Sequence, residues 1–293
     1  MAESNNEPSY FEGELILCAT PIGNLKDISE RALEALRNAD LIASEDTRVS
    51  RKLLSAYDIH TPLTSYHEHN KNKMQGVLLN KILEGSKIVL ITDAGTPAIS
   101  DPGEDLVKAC IEAGIRVSSL PGATAFVTAL TLSGLSARRF VFEGFLPKEN
   151  KERSAILQSL TYETRTIILY EAPHRLKATL NLLYEALGDR RIAVCRELTK
   201  IHEEVLRLNL SEAAAFYESN EPRGEFVLVI EGRMDSPIPE EKAQLLDLSL
   251  EQHLEYYMSL GQDKKEAMRS VAKDRGLSRR DVYNNLIGGK DGK

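Results

Sequence analysis

The residue types best suited to chemistry gather in three short loops. These are Thr20-Pro21-Ile22-Gly23-Asn24-Leu25, Asp93-Ala94-Gly95-Thr96-Pro97-Ala98-Ile99-Ser100-Asp101-Pro102-Gly103 and Leu120-Pro121-Gly122-Ala123-Thr124-Ala125. Loops rich in Gly, Pro and small hydroxyl residues let backbone N–H and C=O groups approach a ligand with few side chains in the way. Gly and Pro also mark ordinary turns, so one such loop says little, and only three at one sheet edge point to a site. In and around them stand groups able to hold a proton or pair with an anion: Glu45, Asp46, Arg48, His67, Glu68, His69, Asp93, Glu171, His174, Arg175, Arg196 and Glu197. A positioned carboxylate or imidazole that takes the proton of an attacking hydroxyl contributes about 10²–10⁴-fold to a rate. Each also has a structural reading. Asp46 stands where a helix N-cap belongs, Glu171 and Arg175 are spaced as a surface ion pair, and His174 follows Pro173 at a helix start. The histidines fit either reading.

Strands and helices must alternate for these loops to share an edge, and the pattern does so. Apolar runs predict strands at 14–20, 41–45, 62–67, 87–93 and 115–120. Helical spacing predicts helices at 28–39, 47–57, 73–83 and 104–113, with Asp46 as a cap and Gly85 and Gly114 as stops. That rhythm demands a mainly parallel sheet covered on both faces, with ligands gathered beyond the carboxyl ends of its strands. A second set follows, with strands at 140–145, 165–171, 191–198, 204–208 and 225–231 and helices at 151–160, 176–187 and 211–217. Its last strands lie closer together, as in a mixed sheet. Residues 234–241 read as a linker, and beyond them only helical patterns occur, at 250–260, 264–274 and 279–286. We therefore expect three units: 1–122, an α/β domain with a mainly parallel sheet; 123–233, an α/β domain with a mixed sheet; and 240–293, helical and resembling a helix-turn-helix.

Exclusions narrow the chemistry. No G-x-G-x-x-G follows the first strand and no G-x-x-x-x-G-K-[ST] occurs, which disfavours a dehydrogenase, a P-loop NTPase and the commonest Rossmann-type methyltransferase. Three dispersed cysteines, Cys18, Cys110 and Cys195, read as reduced core residues of a cytoplasmic protein. His67 and His69 share a face if they lie on a strand, but no third ligand accompanies them, so no metal is expected. The chain shows no apolar run of bilayer length and no signal-peptide pattern. The net charge of −7 argues against a nucleic-acid binder, yet it is uneven. From Gln262 to Lys293 nine basic residues face five acids, an excess of +4 that leaves −11 on the rest. Lys264, Lys265, Arg279 and Arg280 belong to that tail, with Ala267, Met268, Val271 and Ala272 as an apolar stripe, Gly276 as a turn and Ser278 as a cap. Such asymmetry suits a tail that meets RNA phosphate; a solvated helical face is the plainer alternative.

In order along the chain, TPIGNLKDIS, ASEDTRVSRKLL, YHEHN, ITDAGTPAISDPG, LPGATAFVTAL, FEGFLPK and YEAPHRL resemble the motif series of the tetrapyrrole (class III) methylase superfamily, in its small-subunit ribosomal RNA branch. The resemblance runs from Leu15 to about Arg233. It implies two α/β domains with a cofactor cleft between them and a small helical third domain. It also implies an enzyme that methylates the 2′-oxygen of a cytidine ribose in the decoding region of 16S rRNA, a homodimer, and S-adenosyl-L-methionine as methyl donor. The donor would be held by Thr20, Pro21, Ile22, Gly23, Asp93, Gly95, Thr96, Pro97, Ile99, Ser100, Asp101, Gly122, Ala123, Thr124, Ala125 and Tyr170. The superfamily's Gly-Asp-Pro is here Gly95-Thr96-Pro97, so Asp93 and Asp101 stand to supply the missing charge. Glu45, Asp46, Arg48 and Glu171 are the catalytic candidates, and Lys264, Lys265, Arg279, Arg280, His174 and Arg175 the RNA contacts, with free 16S rRNA or the 30S subunit as partner. The alternatives are a methylase of the same fold acting on a precorrin-like small molecule or a diphthine precursor, and a silent RNA-binding scaffold.

Overall fold

The computed structural model describes residues 12–234, 245, 248–275 and 277–288. Two compact units divide the chain, Met1–Arg233 and Met234–Lys293. The first unit contains two five-stranded sheets. One is formed by β1 (Glu14–Cys18), β2 (Leu41–Ser44), β3 (Leu63–Ser65), β4 (Lys87–Ile91) and β5 (Arg116–Leu120), in the order β3-β2-β4-β1-β5 with every pairing parallel. Parallel neighbours need crossover connections, supplied here by α1 (Glu30–Asn38), α2 (Thr47–Ala56), α3 (Lys71–Leu83) and α4 (Glu104–Glu112). Alternate residues of β1 and β4 serve two cores. Leu15, Leu17 and Leu90 pack with Leu78, Ile82 and Leu106, whereas Cys18, Val89 and Ile91 pack with Leu36 and Leu54. Each such buried aliphatic side chain contributes about 1.5–3 kcal/mol.

The second sheet comprises β6 (Phe140–Phe145), β7 (Thr166–Glu171), β8 (Arg191–Arg196), β9 (Glu204–Asn209) and β10 (Phe226–Ile230), ordered β6-β7-β10-β8-β9. Only β6 and β7 are parallel; the other pairs run antiparallel, so the sheet is mixed. Helices α6 (Asn150–Leu160), α7 (Pro173–Leu187) and α8 (Leu210–Ser219) cover one face through Leu157, Leu176, Leu180, Leu183 and Ala213. Helix α5 (Ala125–Ser133) covers the other, bringing Ala129 and Leu130 onto Ile168, Ala193 and Val229. Coverage on both faces is why β10 is buried at every residue.

Several elements differ from expectation. The third strand ends at Ser65 instead of reaching His67. Asn70 ends it: its amide donates to the Ser65 carbonyl at 3.2 Å and its Oδ1 accepts the His67 N–H at 2.8 Å. His67 and His69 therefore lie in the turn before α3 instead of on one strand face, with ring centroids 6.0 Å apart. Helix α3 accordingly begins at Lys71 instead of 73, and α8 spans Leu210–Ser219 instead of 211–217. Helix α5 was not anticipated, because its Ala-Phe-Val-Thr-Ala-Leu-Thr-Leu-Ser run has no sustained polar face.

In the second unit α9 (Leu250–Ser259), α10 (Lys264–Arg275) and α11 (Arg279–Gly288) enclose Leu254, Val271 and Val282, and the Ala267, Met268, Val271 and Ala272 stripe is buried as expected. Ser278 Oγ accepts the Asp281 N–H at 3.1 Å. His253 is fully buried and accepts from Arg275 Nε at 3.0 Å. Lys264 and Lys265 are exposed. The turn assigned to Gly276 and most of the expected linker lie outside the described residues.

Candidate active site

A cavity of about 340 Å³ opens where the two sheets of the first unit bring their loops together. That volume suits a small-molecule ligand. Because β1 and β4 are paired neighbours, the loops after them leave the same edge. They are stitched by a two-bond bridge: the Thr20 N–H donates to the Gly95 carbonyl at 2.8 Å, and the Gly95 N–H returns to the Thr20 carbonyl at 3.0 Å. Gly95 has φ +90°, a left-handed conformation a β-branched residue resists. The Thr20 hydroxyl donates to the Thr92 carbonyl at 3.1 Å. Gly122 closes the floor, where an added Cβ would meet the Ala19 side chain at 2.8 Å.

Of the residues expected to hold a ligand, Ile22, Asp93, Gly95, Thr96, Ile99 and Ser100 line this cavity. Asp101, Thr124, Ala125 and Tyr170 line it as well. Thr20, Pro21, Pro97, Gly122 and Ala123 lie outside the lining, and Thr20, Gly122 and Ala123 support it. Gly23 approaches the β8–β9 loop instead, where an added Cβ would meet Lys200 and Thr199 side chains at 2.5 and 2.7 Å. Thr96 takes a structural part: its hydroxyl pairs with that of Thr124 at 2.8 Å and reaches the Ala123 carbonyl at 3.3 Å, tying the second loop to the third. An aspartate at this place would set a carboxylate against that carbonyl.

On this wall the Thr92 hydroxyl donates to Glu45 Oε2 at 3.2 Å. Burial pushes Glu45 and Asp93 above the ordinary carboxylate range. Burial, with the charges of Glu45 and Asp93, pushes Asp101 up to about 6. Asp46 behaves oppositely. It caps α2 through the Arg48 N–H at 2.8 Å and receives the Arg48 guanidinium, which holds it at about 2. Its own N–H donates to Asp93 Oδ1 at 3.1 Å. Glu45, Asp46 and Arg48 thus flank the cavity without lining it.

The opposite wall comes from the second sheet. Tyr170 packs edge-on to Phe142 and beside Phe145, and its hydroxyl accepts the Phe126 N–H at 3.3 Å. Burial pushes that phenol up to about 12. Glu171 lines the cavity, but its side chain is fully buried and committed. It accepts the Ala172 N–H at 2.8 Å and the Thr179 hydroxyl at 2.5 Å, with Arg175 Nε at 3.5 Å. Glu171 and Arg175 are therefore an interior pair that fixes the start of α7, not the exposed one their spacing suggests. Arg175 also donates to the Leu146 carbonyl at 2.7 Å, and His174 is exposed outside the cavity. Leu198, Phe226, Val227, Phe145 and Glu225 complete this wall, and Thr92 lines the cavity from the first sheet's side. None of these six was anticipated. Antiparallel β10 presents its first residues at the edge where parallel strands present their last, and strand direction is invisible in an apolar run.

The cavity fits an adenosyl sulfonium compound. Ile22, Ala125, Leu198 and Val227 offer an apolar bed for a purine, and Asp93 and Asp101 offer negative charge to a sulfonium and an amine. Among the described residues no His, Cys, Asp and Glu group could hold a metal ion. The model of the tetrapyrrole (corrin/porphyrin) methylase family matches residues 14–214. The chain is 49% identical to ribosomal RNA small subunit methyltransferase I of Halalkalibacterium halodurans over 93% of its length and 94% of that protein. It is 50% identical to the Synechocystis protein of the same name, over 92% of this chain and 96% of that one. Among solved structures, uroporphyrin-III C-methyltransferase of Thermus thermophilus, complexed with S-adenosylhomocysteine, shares the fold at TM-score 0.56 and 16% identity, covering 75% of this chain and 97% of that one. On the family match and these relatives, the chain is a methyltransferase that belongs to the tetrapyrrole methylase family and, within it, to the ribosomal RNA small subunit methyltransferase I group.

Proposed function

We propose that the protein transfers a methyl group from S-adenosyl-L-methionine to the 2′-oxygen of a cytidine ribose in the decoding region of 16S rRNA. The names of relatives 49–50% identical over more than nine-tenths of the chain support the RNA acceptor. The observation that carries the oxygen acceptor is the acidic wall of the cavity. An alcohol that becomes an ether must shed a proton, and this wall holds carboxylates whose burial raises their affinity for one. The donor is held by the loops after β1, β4 and β5 and by Tyr170, with Asp93 and Asp101 giving it the charge that Thr96 lacks. When bound, it supplies an electrophilic methyl carbon. The protein's part is to hold the ribose oxygen in line with that carbon and to exclude water from between the walls.

Glu45, Asp46, Arg48 and Glu171 are the proposed catalytic group, with unequal parts. Asp46 and Arg48 orient the chain at the mouth, Glu171 orients α7, and Glu45 stands behind Thr92. Lys264, Lys265, Arg279, Arg280, His174 and Arg175 are the proposed RNA contacts, His174 from an exposed position and Arg175 through what its backbone bonds leave free. A homodimer in the cytoplasm completes this reading.

The test is methyl transfer from radiolabelled S-adenosylmethionine to undermodified 30S subunits, with free 16S rRNA alongside. We expect label at one nucleotide whose linkage resists alkaline cleavage. Label in a base, or in no RNA while the donor still binds, overturns the ribose assignment. A chain ending at Glu240 is expected to bind the donor normally and to lose at least about tenfold in RNA methylation; unchanged methylation removes the tail from the RNA-contacting surface.

A further inference from the structure

Strand β6 carries an extra residue just before it reaches the cavity. Phe142 pairs with Ile168 and Phe145 with Tyr170, so β6 advances three residues while β7 advances two. In a regular strand Phe140, Phe142 and Gly144 would share a face, and Phe145 would point the other way. The irregularity moves Phe145 onto the face of Phe140 and Phe142, as bulges beside active sites re-aim side chains. The rings confirm the shared face. Phe140 and Phe142 lie 6.2 and 4.6 Å from Phe126, and Phe142 and Phe145 lie 4.9 and 5.5 Å from Tyr170. Phe145 lines the cavity yet is 51% exposed, and no other exposed Phe or Tyr among the described residues lines it. Tyr170 is committed, with its hydroxyl on the Phe126 N–H. Phe145 has a ring face to offer.

Register also fixes where that face stands. Phe145, Tyr170 and Val227 form one row across β6, β7 and β10. Two strand spacings put Phe145 roughly 10 Å from Val227. Val227 and Leu198 belong to the apolar bed suited to the donor's purine, so Phe145 lies at the far end of the row, on an edge strand. The lining includes Asp93, Asp101, Glu171 and Glu225, and no Lys, Arg or His among the described residues. Such a lining disfavours phosphate and suits the uncharged part of a nucleotide. The facing loop is held as firmly as the bulge. Ala98 and Ser100, neither a glycine, adopt φ values of +66° and +62°, a strain that persists where the surroundings impose it.

We propose that Phe145 is the stacking platform for the base of the acceptor nucleotide, turned out of its own stack so that the attached ribose meets the donor. This rests on the RNA acceptor given above. A nucleotide within a stack cannot bring its ribose between two walls, and turning it out costs the stacking it had. An aromatic face restores that stacking and is worth about 5–100-fold in affinity per base. Every base has a π-face, so Phe145 holds the base without choosing it.

The test is steady-state methylation of undermodified 30S subunits by the full chain, with S-adenosylhomocysteine binding titrated calorimetrically. Phe145→Leu is expected to lower kcat/KM for the subunit by about 5–100-fold. Its affinity for S-adenosylhomocysteine should stay within about threefold of the parent's, with the sedimentation mass unchanged. Phe145→Tyr and Phe145→Trp keep an aromatic face and should remain within about threefold of the parent in kcat/KM. Phe145→Leu within about twofold of the parent overturns the assignment. So does Phe145→Tyr falling as far as Phe145→Leu, which makes packing against Tyr170 the whole effect. Loss of S-adenosylhomocysteine in step with activity makes Phe145 a donor contact, and a changed mass makes it a contact between copies; either overturns it too. Label in a base, or in no RNA, from the parent protein defeats the underlying ribose reading instead.

Discussion

The two walls of the cleft both carry buried carboxylates, and they treat them in opposite ways. On the wall from the second sheet, Glu171 is enclosed by a backbone N–H, a hydroxyl and a guanidinium, so its charge is met from three sides. On the wall from the first sheet, Glu45 accepts from the Thr92 hydroxyl alone among side-chain donors of the described residues, and burial raises both Glu45 and Asp101. A buried charge that is fully met stabilises a local structure, whereas one left short of donors stores affinity for a proton. The contrast separates a carboxylate that builds the site from one able to act in it.

Removing Glu171 should break the contrast most visibly. Glu171→Ala strips the Ala172 N–H and Thr179 of their acceptor and leaves Arg175 partly buried without its acid, so a loss of about 3–5 kcal/mol in urea unfolding is expected. A loss below about 1 kcal/mol would mean the pair is worth no more than a surface one. Next comes Gly95→Val, which places a β-branched residue at φ +90° beside Ile22. We expect S-adenosylmethionine binding to weaken by at least about tenfold, and unchanged calorimetric affinity would remove the bridged loop from the donor site.

Asp101→Asn sharpens the comparison through stability. The native carboxylate sits near 6, above its ordinary 3.8, so the folded state binds the proton more tightly than the unfolded chain. The resulting penalty is fully present above the native value and gone below the unfolded one, near about pH 4. The asparagine variant should therefore unfold about 1–2 kcal/mol later than the parent at neutral pH, allowing for Asp101's partial exposure, and equally at about pH 4. A variant less stable at neutral pH would place Asp101 in the same class as Glu171. The smallest effect is expected from Thr96→Val, which loses the tie to Thr124 and should cost about 0.5–1.5 kcal/mol with a modest drop in donor affinity; no change in either would make the tie incidental.

Much of this was legible in the sequence for identifiable reasons. The buried strands β1, β4 and β7 announce themselves as apolar runs, and Asp46, Gly85 and Gly114 punctuate as their conformations require. The loops after β1, β4 and β5 stood out by composition. What stayed hidden depends on pairing. The pattern of Phe226-Val227-Leu228-Val229-Ile230 gives no direction, so nothing placed its first residues at the cavity. Glu171 and Arg175 carry an i,i+4 spacing that is the same on a surface and in an interior. Asp101 reads as one acid in a donor loop, because the burial and the Glu45 charge that raise its proton affinity come from elements far apart in the chain.

Gly144 also bears on how wide the cleft stands. It lies in the left-handed region at φ +65°, at an irregularity of β6, and an added Cβ would come within 2.9 Å of Ser100 Oγ from the strained loop of the other wall. The closest approach of the walls there is set by main-chain geometry on one side and a short hydroxyl on the other. Such a contact works as a thickness gauge. A larger residue at position 144 would have to push Ser100 or its loop aside, so the spacing there is set by the main chain of β6 and not by an adjustable side chain.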